Sequence, residues 1–223
     1  MNIKIKEIVK SVYRKISTCF SWEFRWYLAQ KYEKISQDKY RRKIFFATNN
    51  ERWLVMVLEY FELKEKENFR NKILVDIGSG PTGILTRLQA KEKIAVDPLL
   101  IDSTDPSIKR IKARGEEIPL NYQVADCVFL YNVLQHVISP EKVLDEGLRI
   151  LKSGGTFYIL EQLNLPVDPA HPHSLKLEMF DNWISKNNFK IIKKTIENDC
   201  YLNFDQSAPG SGYAVLCLVL VKI

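Results

Sequence analysis

The sequence lacks a long apolar run and a closely spaced pair of cysteines. Its longest apolar stretch, AVLCLVLV at 214–221, falls short of the roughly 18 residues that a membrane span needs and suits a buried strand. Lys4, Lys6 and Lys10 interrupt what would be the apolar core of a signal peptide. The four cysteines include no C-x-x-C pair, so we expect a reducing, cytoplasmic setting and no structural metal.

Basic residues outnumber acidic ones about two to one in the N-terminal third of the chain, and only there. Residues 1–72 carry 17 Lys and Arg against 9 Asp and Glu, whereas residues 73–223 carry 16 against 18. A role on a nucleic acid or an anionic surface would therefore belong to the N-terminal part. Apolar residues recur there at helical spacing, so we predict a helical N-terminal extension or cap over 1–70 and one folded domain over 71–223.

Beyond residue 73 the chain alternates short apolar runs with helical patterns, which is typical of an α/β sheet with helices on both faces. The predicted strands are 73–77, 93–97, 110–113, 126–131, 155–160, 189–196 and 213–221. The predicted helices are 82–90, 141–151 and 174–187. The last two strands are separated by QSAPGSG, which is too short for a helical crossover, so they form an antiparallel hairpin.

The first strand runs into a glycine-rich turn, ILVDIGSGPTG at 73–83. Its G-x-G-x-x-G spacing is that of dinucleotide sites, although a plain tight turn has the same spacing. Asp76 would repel a pyrophosphate, and Pro81 removes a backbone N–H that would help to hold one. S-adenosylmethionine carries an ammonium and a sulfonium instead, so a carboxylate here favours that cofactor.

A second carboxylate, Asp97, ends the next predicted strand, 21 residues after Asp76. An acidic side chain at this place can accept hydrogen bonds from both ribose hydroxyls of a nucleoside. NAD sites share this feature, so Asp97 predicts a nucleoside without choosing between the two cofactors. Pro98 offers an apolar face to the adenine.

Five motifs follow one another in order: VDIGSGPTG, IAVDP, GEEIPL, ADCVFLYNVLQHV and LRILKSGGTFYIL. Over roughly residues 73–160 they resemble the class I S-adenosylmethionine-dependent methyltransferases, in particular the small-molecule branch of the ubiquinone and menaquinone enzymes. The resemblance implies a Rossmann-like sheet of seven strands with the last antiparallel, in agreement with the hairpin. S-adenosylhomocysteine would be the product.

The resemblance also implies roles for single residues. Gly78, Ser79 and Gly80 would form the loop that passes under the methionine end, and Asp97 would hold the ribose. The residues implied beside the adenine are Gly115 and Glu116, and the residue implied beside the methionine is Asn132. Family members often have Asp where Arg114 stands, so adenine recognition would rest on Glu116 or on backbone groups.

Candidates for acceptor chemistry lie where the motifs end. His136 follows the fourth strand and is either a base, an acceptor-orienting group or a structural histidine bonded to a backbone carbonyl. His171 and His173 lie in PVDPAHPHSL, whose H-x-H lacks an evident third metal ligand; they contact an acceptor or belong to a surface loop. Further candidate acceptor contacts are Trp26, with cap packing as the alternative, Tyr131, and Glu161, with a helix-facing or solvated carboxylate as the alternative.

Three hypotheses remain open at this point. The first is a methyltransferase acting on an oxygen or nitrogen of a small-molecule or lipid- or glycan-linked acceptor, with residues 1–20 as a basic amphipathic helix on an anionic membrane. The others are an NAD(P)-dependent oxidoreductase and a methyltransferase-like binding subunit without activity. Nucleic acid is disfavoured, because no RNA-binding module is recognisable and YNVL replaces the N-P-P-Y tetrapeptide of base methyltransferases. The oligomeric state is not predicted.

Overall fold

Seven strands form one sheet in the computed structural model, which describes residues 3–41, 45–64, 68–80, 83–99, 105–202 and 208–223. The strands are β1 Asn68–Ile77, β2 Gln89–Val96, β3 Ile108–Ile111, β4 Ala125–Tyr131, β5 Leu151–Leu163, β6 Phe189–Asn198 and β7 Ala214–Lys222. Their spatial order is β3-β2-β1-β4-β5-β7-β6. Among the described strands, β7 runs antiparallel to both β5 and β6 and the other pairs are parallel, so the expected Rossmann-like sheet and its C-terminal hairpin are confirmed.

The order of the strands reverses between β1 and β4. Ligands of doubly wound sheets bind outside the carboxyl ends of the strands at such a reversal. Both strands are buried on both faces, which is why ILVDI and CVFLY are apolar almost throughout instead of alternating with polar residues. The strand pattern thus positions a site after Ile77 and Tyr131.

Five α-helices accompany the sheet in the described residues. They are α1 Ile3–Ile16, α2 Trp22–Arg41, α3 Phe45–Tyr60, α4 Pro140–Ile150 and α5 Leu177–Lys186. Proline at the first position suits the start of α4, because its missing N–H would have no partner inside the helix. The helices expected near 141–151 and 174–187 are therefore present as α4 and α5.

Each face of the sheet has its own core. One face packs on α4 and α5, including Leu144 and Phe180. The other face packs on α3, with Val57 and Phe61. A helix that precedes the sheet in sequence thus covers one of its faces. The predicted boundary at residues 70 and 71 stays a prediction, and β1 itself begins at Asn68.

The helix predicted over 82–90 is wrong. Residues Ile84–Arg87 form a single 3₁₀ turn, and β2 begins at Gln89. The N-terminal ends of β1 and β2 pair with each other through Asn68 and Gln89, which leaves no length for an α-helix between the strands. The apolar residues that suggested a helix instead pack with α3 in the core. In the described part of 78–124, no α-helix is present.

Within the described residues, no helix is long and apolar enough to cross a membrane. The four cysteines are unpaired thiols. Burial raises the pKa of both Cys127 and Cys217 to about 11, so both remain protonated near neutral pH.

Candidate functional site

A cleft of about 150 Å³ opens at the carboxyl ends of β1, β2 and β4. It lies at the point where the strand order reverses, as expected for this topology. One wall comes from loops of the sheet and the other from α2. The lining residues are Trp26, Gln30, Glu33, Ile77, Gly78, Gly80, Asp97, Pro98, Leu99, Arg114, Gly115, Glu116, Asn132, Val133, His136 and Val137.

The glycine turn forms the floor of the cleft. Gly78 has φ +72° and Gly80 has φ +58°, a conformation that costs any residue with a Cβ. A Cβ on Gly78 would lie 2.4 Å from Cγ2 of Val133, whereas a Cβ on Gly80 would meet nothing within 4 Å. Gly78 therefore allows the loops after β1 and β4 to approach each other. Ser79, between the two glycines, is buried and does not line the cleft.

Asp97 connects the glycine turn with the end of β2. Its Oδ2 accepts a hydrogen bond from the Gly80 N–H at 2.9 Å, and its Oδ1 accepts one from the Leu99 N–H at 2.8 Å. Burial raises the pKa of Asp97 in spite of these bonds. The carboxylate still lines the cleft beside Pro98, where a nucleoside ribose and adenine were expected. Pro81 lies outside the described residues.

Asp76 occupies a different place from the one expected of it. Its side chain is fully buried on the α3 face of the sheet and does not line the cleft. Its Oδ2 accepts a hydrogen bond from the Tyr131 hydroxyl at 3.2 Å, and that hydroxyl accepts one from the Ile84 N–H at 2.9 Å. Burial raises the pKa of Asp76 well above its ordinary value. Asp76 and Tyr131 thus hold the glycine turn from beneath, and neither reaches the cleft.

Glu116 lines the cleft and also fixes the start of α4. Its Oε1 accepts hydrogen bonds from the N–H groups of Ile138 at 2.7 Å and Ser139 at 3.2 Å. A Cβ on Gly115 would lie 3.0 Å from Cγ1 of Val143, so a side chain there would press on α4. The motif expected to contact adenine therefore has its position set by backbone groups of another loop.

Glu161 holds the loop after β4 from inside the protein. Its Oε1 accepts hydrogen bonds from the Val133 N–H at 2.9 Å and the Leu134 N–H at 3.1 Å. Its Oε2 is buried and has no hydrogen-bond partner among the described residues. Burial raises the pKa of Glu161 to about 8, so the carboxyl is mostly protonated at neutral pH. It does not line the cleft, and it acts on the site only through the loop.

Asn132 begins this loop in the left-handed region, with φ +56°. Its backbone N–H is held by the Leu160 carbonyl at 2.8 Å, and its Oδ1 accepts a hydrogen bond from Gln135 Nε2 at 2.7 Å. Asparagine tolerates this conformation better than most residues. The side chain therefore faces the cleft in a fixed orientation.

His136 lines the cleft as a neutral imidazole, and its hydrogen bonds fix which ring nitrogen carries the proton. Its Nδ1 lies 2.8 Å from the Ala170 carbonyl oxygen, which can only accept, so Nδ1 carries the proton. Nε2 is then the acceptor, 3.4 Å from Gln135 Nε2. Burial, followed by the neighbouring His171, lowers the pKa of His136 to about 4. The bond to a backbone carbonyl agrees with the structural interpretation of this residue, and its role as a base or as an acceptor-orienting group stays a prediction.

His171 stands behind His136, and its ring centroid lies 4.8 Å from that of His136. Its Nδ1 lies 3.0 Å from Oδ1 of Asp168, whose other oxygen is 3.0 Å from the Lys10 ammonium. Burial alone would raise the pKa of Asp168, but His171 and Lys10 lower it well below its usual range. His171 does not line the cleft, and this cluster attaches α1 to the loop after β5.

His173 belongs to a second junction of the same loop. Its ring stacks on Trp22 at 4.4 Å, and the Arg25 guanidinium lies 3.9 Å from the centre of the Trp22 ring. Nε2 of His173 lies 2.9 Å from the Val137 carbonyl oxygen, and burial lowers the pKa of His173. Its contacts are those of a packing residue. Over the described ranges, no three His, Cys, Asp or Glu side chains come together as a metal site.

Residues of α2 form the wall that faces the sheet loops. Trp26, Gln30 and Glu33 follow one another at helical spacing, which brings them to one face of the helix. Arg114 lies 5.6 Å from the centre of the Trp26 ring, and Gln30 Nε2 is 3.5 Å from the His136 carbonyl oxygen. The sequence predicted Trp26 but not Gln30 or Glu33, although their shared spacing with Trp26 was a usable signal.

The charge of the cleft distinguishes between ligands. Three carboxyl side chains line it, against one guanidinium, Arg114. This lining suits a ligand with cationic groups and ribose hydroxyls, and it is unfavourable for a pyrophosphate. In addition, no α-helix begins at the glycine turn in the described residues, so no helix dipole is available there to attract phosphate.

Comparisons with known proteins agree with this geometry. The family described as a methyltransferase domain matches residues 75–159. No curated protein sequence matches the chain. The fold is similar to a putative methyltransferase from Bacillus halodurans, with TM-score 0.57 and 12% identity over 76% of this chain and 99% of that one.

Two further solved structures are similar to this chain. A putative S-adenosylmethionine-dependent methyltransferase from Listeria monocytogenes has TM-score 0.54 and 14% identity, covering 74% of this chain and 95% of that one. A chain from the complex of the Haloferax volcanii methyltransferase activator and its putative methyltransferase has TM-score 0.55 and 14% identity, covering 90% and 98%. At such identities the likeness to solved structures shows the fold.

Proposed function

We propose that the chain is a class I S-adenosylmethionine-dependent methyltransferase and that it methylates an oxygen or nitrogen of a small-molecule or lipid- or glycan-linked acceptor. One observation carries this proposal. A single cleft brings the turn of Gly78, the carboxylate of Asp97 and the neutral imidazole of His136 together at the strand-order reversal.

The residues of the cleft fit S-adenosylmethionine. Gly78 and Gly80 line the cleft with backbone atoms, so the ligand's methionine end can lie against backbone. Asp97 is placed to accept hydrogen bonds from ribose hydroxyls, and Asn132 offers an amide beside the methionine end. Pro98 and Gly115 supply the apolar and backbone surfaces that an adenine needs. When bound, the cofactor supplies a methyl group on a sulfonium for in-line displacement at carbon.

His136 is the residue that we assign to proton transfer. Its Nε2 is unprotonated above about pH 4 and can take the proton that a hydroxyl or protonated amine loses on methylation. The Ala170 carbonyl keeps Nδ1 protonated, which holds the ring in the productive tautomer. The proton then passes from Nε2 to solvent after product release.

The remaining residues align the acceptor and exclude water. Glu161 fixes the loop that carries Asn132 and His136, through the two backbone N–H groups that it accepts. Trp26 and Gln30 close the opposite side. Holding the acceptor and the methyl donor in the correct relative orientation can lower the barrier by about 7–11 kcal/mol, so alignment is the larger part of catalysis here.

Calorimetric titration with S-adenosylhomocysteine and, separately, with NAD tests the cofactor assignment. We expect S-adenosylhomocysteine to bind, and Asp97→Ala to weaken it by about two to four decades, because two charge-assisted hydrogen bonds and the brace on Gly80 are lost. Glu178→Ala, an exposed carboxylate on α5, is the matched control and should bind normally.

Each other outcome counts against the proposal. Binding of NAD in place of S-adenosylhomocysteine would support the oxidoreductase hypothesis. Binding of S-adenosylhomocysteine without any transfer from labelled S-adenosylmethionine, across oxygen and nitrogen acceptors, would support a binding subunit.

A further inference from the structure

The helix α1 is attached to the rest of the protein by one face only. Tyr13 on this face and Ser17, directly after the helix, are 6% and 4% exposed, and Lys10 forms its ion pair with Asp168. These residues lie at helical spacing, so they define the inner side of α1. The orientation of the helix is therefore set, and so is the side that it turns to solvent.

The side of α1 that faces solvent carries an apolar stripe beside the exposed Ser11, Arg14 and Lys15. Ile8, Val12 and Ile16 are 61%, 50% and 43% exposed, and they follow one another four residues apart. This spacing makes a continuous stripe along the helix, which is unusual for a surface that stays in water.

The helix α2 repeats the arrangement. Arg25 and Ala29 are buried on its inner side. Its outer side carries Phe24, Tyr27 and Ile35, which are 43%, 51% and 65% exposed. Aromatic side chains with one polar end are typical of the boundary between lipid and water. We call the six residues Ile8, Val12, Ile16, Phe24, Tyr27 and Ile35 the outer cap surface.

The charge around the outer cap surface indicates what covers it. In the last turn of α1, the basic residues Arg14 and Lys15 are exposed beside Ile16. On α2, Lys31 lies beside Tyr27, with its ammonium 5.2 Å from the ring centre. Basic residues bordering an apolar stripe favour an anionic bilayer, because the cations meet lipid headgroups while the stripe enters the acyl boundary. A nucleic acid would use the cations and leave the exposed aliphatic side chains in water.

We propose that the outer cap surface lies on an anionic lipid bilayer. The opposite side of α2 carries Trp26 and Gln30, which line the cleft. Since a helix with its side chains is about 10–12 Å across, this docking places the wall of the cleft within about one helix diameter of the membrane. A lipid or lipid-linked acceptor would then reach the site directly. This consequence rests on the proposed function, whereas the docking itself is independent of it.

Co-sedimentation with vesicles tests the docking. The full chain is incubated with vesicles of phosphatidylcholine alone, or of phosphatidylcholine with about one-third phosphatidylglycerol. We expect binding to the anionic vesicles, reduced by raised salt, and weak binding to the neutral ones. Val12→Asp should weaken binding about ten- to thirtyfold, because it removes an apolar group that would enter the bilayer and adds a negative charge that the anionic headgroups repel.

A matched control separates this effect from a general loss of apolar surface. Ile192 lies on β6, outside the outer cap surface, and is 55% exposed, close to the exposure of Val12. The variant Ile192→Asp should therefore bind vesicles like the wild type. Thermal unfolding of all three proteins shows whether they are folded, and titration with S-adenosylhomocysteine tests the proposed function separately. If none binds this ligand, the proposed function fails while the vesicle result still decides the docking.

Three results would overturn the docking proposal. One is equal sedimentation with neutral and anionic vesicles, or with neither. Another is an equal loss in Val12→Asp and Ile192→Asp. The third is a dimer in light scattering that Val12→Asp converts to a monomer, since the outer cap surface would then bind a second copy of the chain.

Discussion

The two walls of the cleft are built in different ways. On the sheet side, buried or half-buried carboxyl groups hold backbone N–H groups: Asp97 holds Gly80, Glu116 holds Ile138, and Glu161 holds Val133. On the α2 side, Trp26 and Gln30 reach the cleft as side chains on a helix whose other face is exposed to solvent. The sheet wall is therefore fixed by buried polar contacts, and the α2 wall by packing at one helix face.

This difference suggests a division of labour between the walls. A cofactor common to many enzymes needs a rigid backbone site, which the sheet wall provides. An acceptor specific to one enzyme is met by elements that vary, such as a cap helix. The predictions below test whether the walls differ in this way.

The largest effect is expected at His136, where the sheet wall takes part in chemistry. His136→Ala should lower kcat by about 10²–10⁴-fold and leave S-adenosylhomocysteine affinity nearly unchanged, because the cofactor contacts lie elsewhere. In the wild type, kcat/KM should rise with pH through about 4 and then level, as Nε2 loses its proton. Steady-state kinetics of both proteins check this, and a variant with nearly wild-type kcat would exclude His136 as the base.

Glu161 comes next, because its effect on stability depends on pH. Its pKa is raised from 4.5 to about 8 by burial, so the folded state binds a proton that the unfolded state has lost between these values. The free energy of unfolding should therefore fall as pH rises from about 4.5 to 8 and then level, by on the order of a few kcal/mol.

Glu161→Gln removes this titration and keeps an oxygen that can accept from Val133 and Leu134. Its stability relative to the wild type should increase across the same pH range, as measured by urea unfolding at several pH values. Taking the difference cancels the opposite contribution of His136, whose lowered pKa makes stability rise between about pH 4 and 6.5. Parallel curves for the two proteins would contradict the assignment of a buried, protonated Glu161.

A smaller effect separates the two glycines of the turn. Both Gly78→Ala and Gly80→Ala place a Cβ at positive φ, which costs about 1–2 kcal/mol. Only the Gly78 variant also pushes Val133, so it should lose about 1–3 kcal/mol more and weaken S-adenosylhomocysteine binding more strongly. Thermal unfolding and calorimetry of the pair test this, and equal losses would show that the loops after β1 and β4 do not depend on this contact.

The smallest effect on the fold and the cofactor is expected on the α2 wall. Trp26→Ala should change the free energy of unfolding by less than about 1–2 kcal/mol, because Trp26 is only half-buried, and should raise the acceptor KM more than the S-adenosylhomocysteine Kd. Calorimetry and initial rates on the same preparation measure both. A Kd increased as strongly as in Asp97→Ala would remove the distinction between the walls.

The sequence predicted the strands because their signal is local. Runs such as CVFLY and AVLCLVLV are apolar on both faces, and the residues between the last two strands are too few for a helical crossover. The helix over 82–90 failed for the opposite reason. Ile84, Leu85 and Leu88 have helical spacing, but their burial is decided by α3, which comes from residues distant in sequence.

The same contrast applies to the site. Gly78, Gly80 and Asp97 could be predicted because a strand followed by a tight turn brings them to one edge of the sheet. Asp76 lies in a strand that is apolar on both faces. The strand therefore has no alternation of polar and apolar residues that would have predicted that the Asp76 side chain turns toward Tyr131 instead of the cleft. Gln30 and Glu33 were missed because α2 meets the cleft only through tertiary packing.

The sequence by itself determined the strands, the C-terminal hairpin and the backbone turn that the cofactor needs, because each depends on residues near one another in the chain. The tertiary structure decided which carboxyl groups reach the cleft, which tautomer His136 adopts, and which faces of α1 and α2 remain exposed. These depend on partners far apart in sequence, such as Ala170 for His136 and Asp168 for Lys10. Burial and hydrogen bonding are properties of the assembled fold, so no local pattern could specify them.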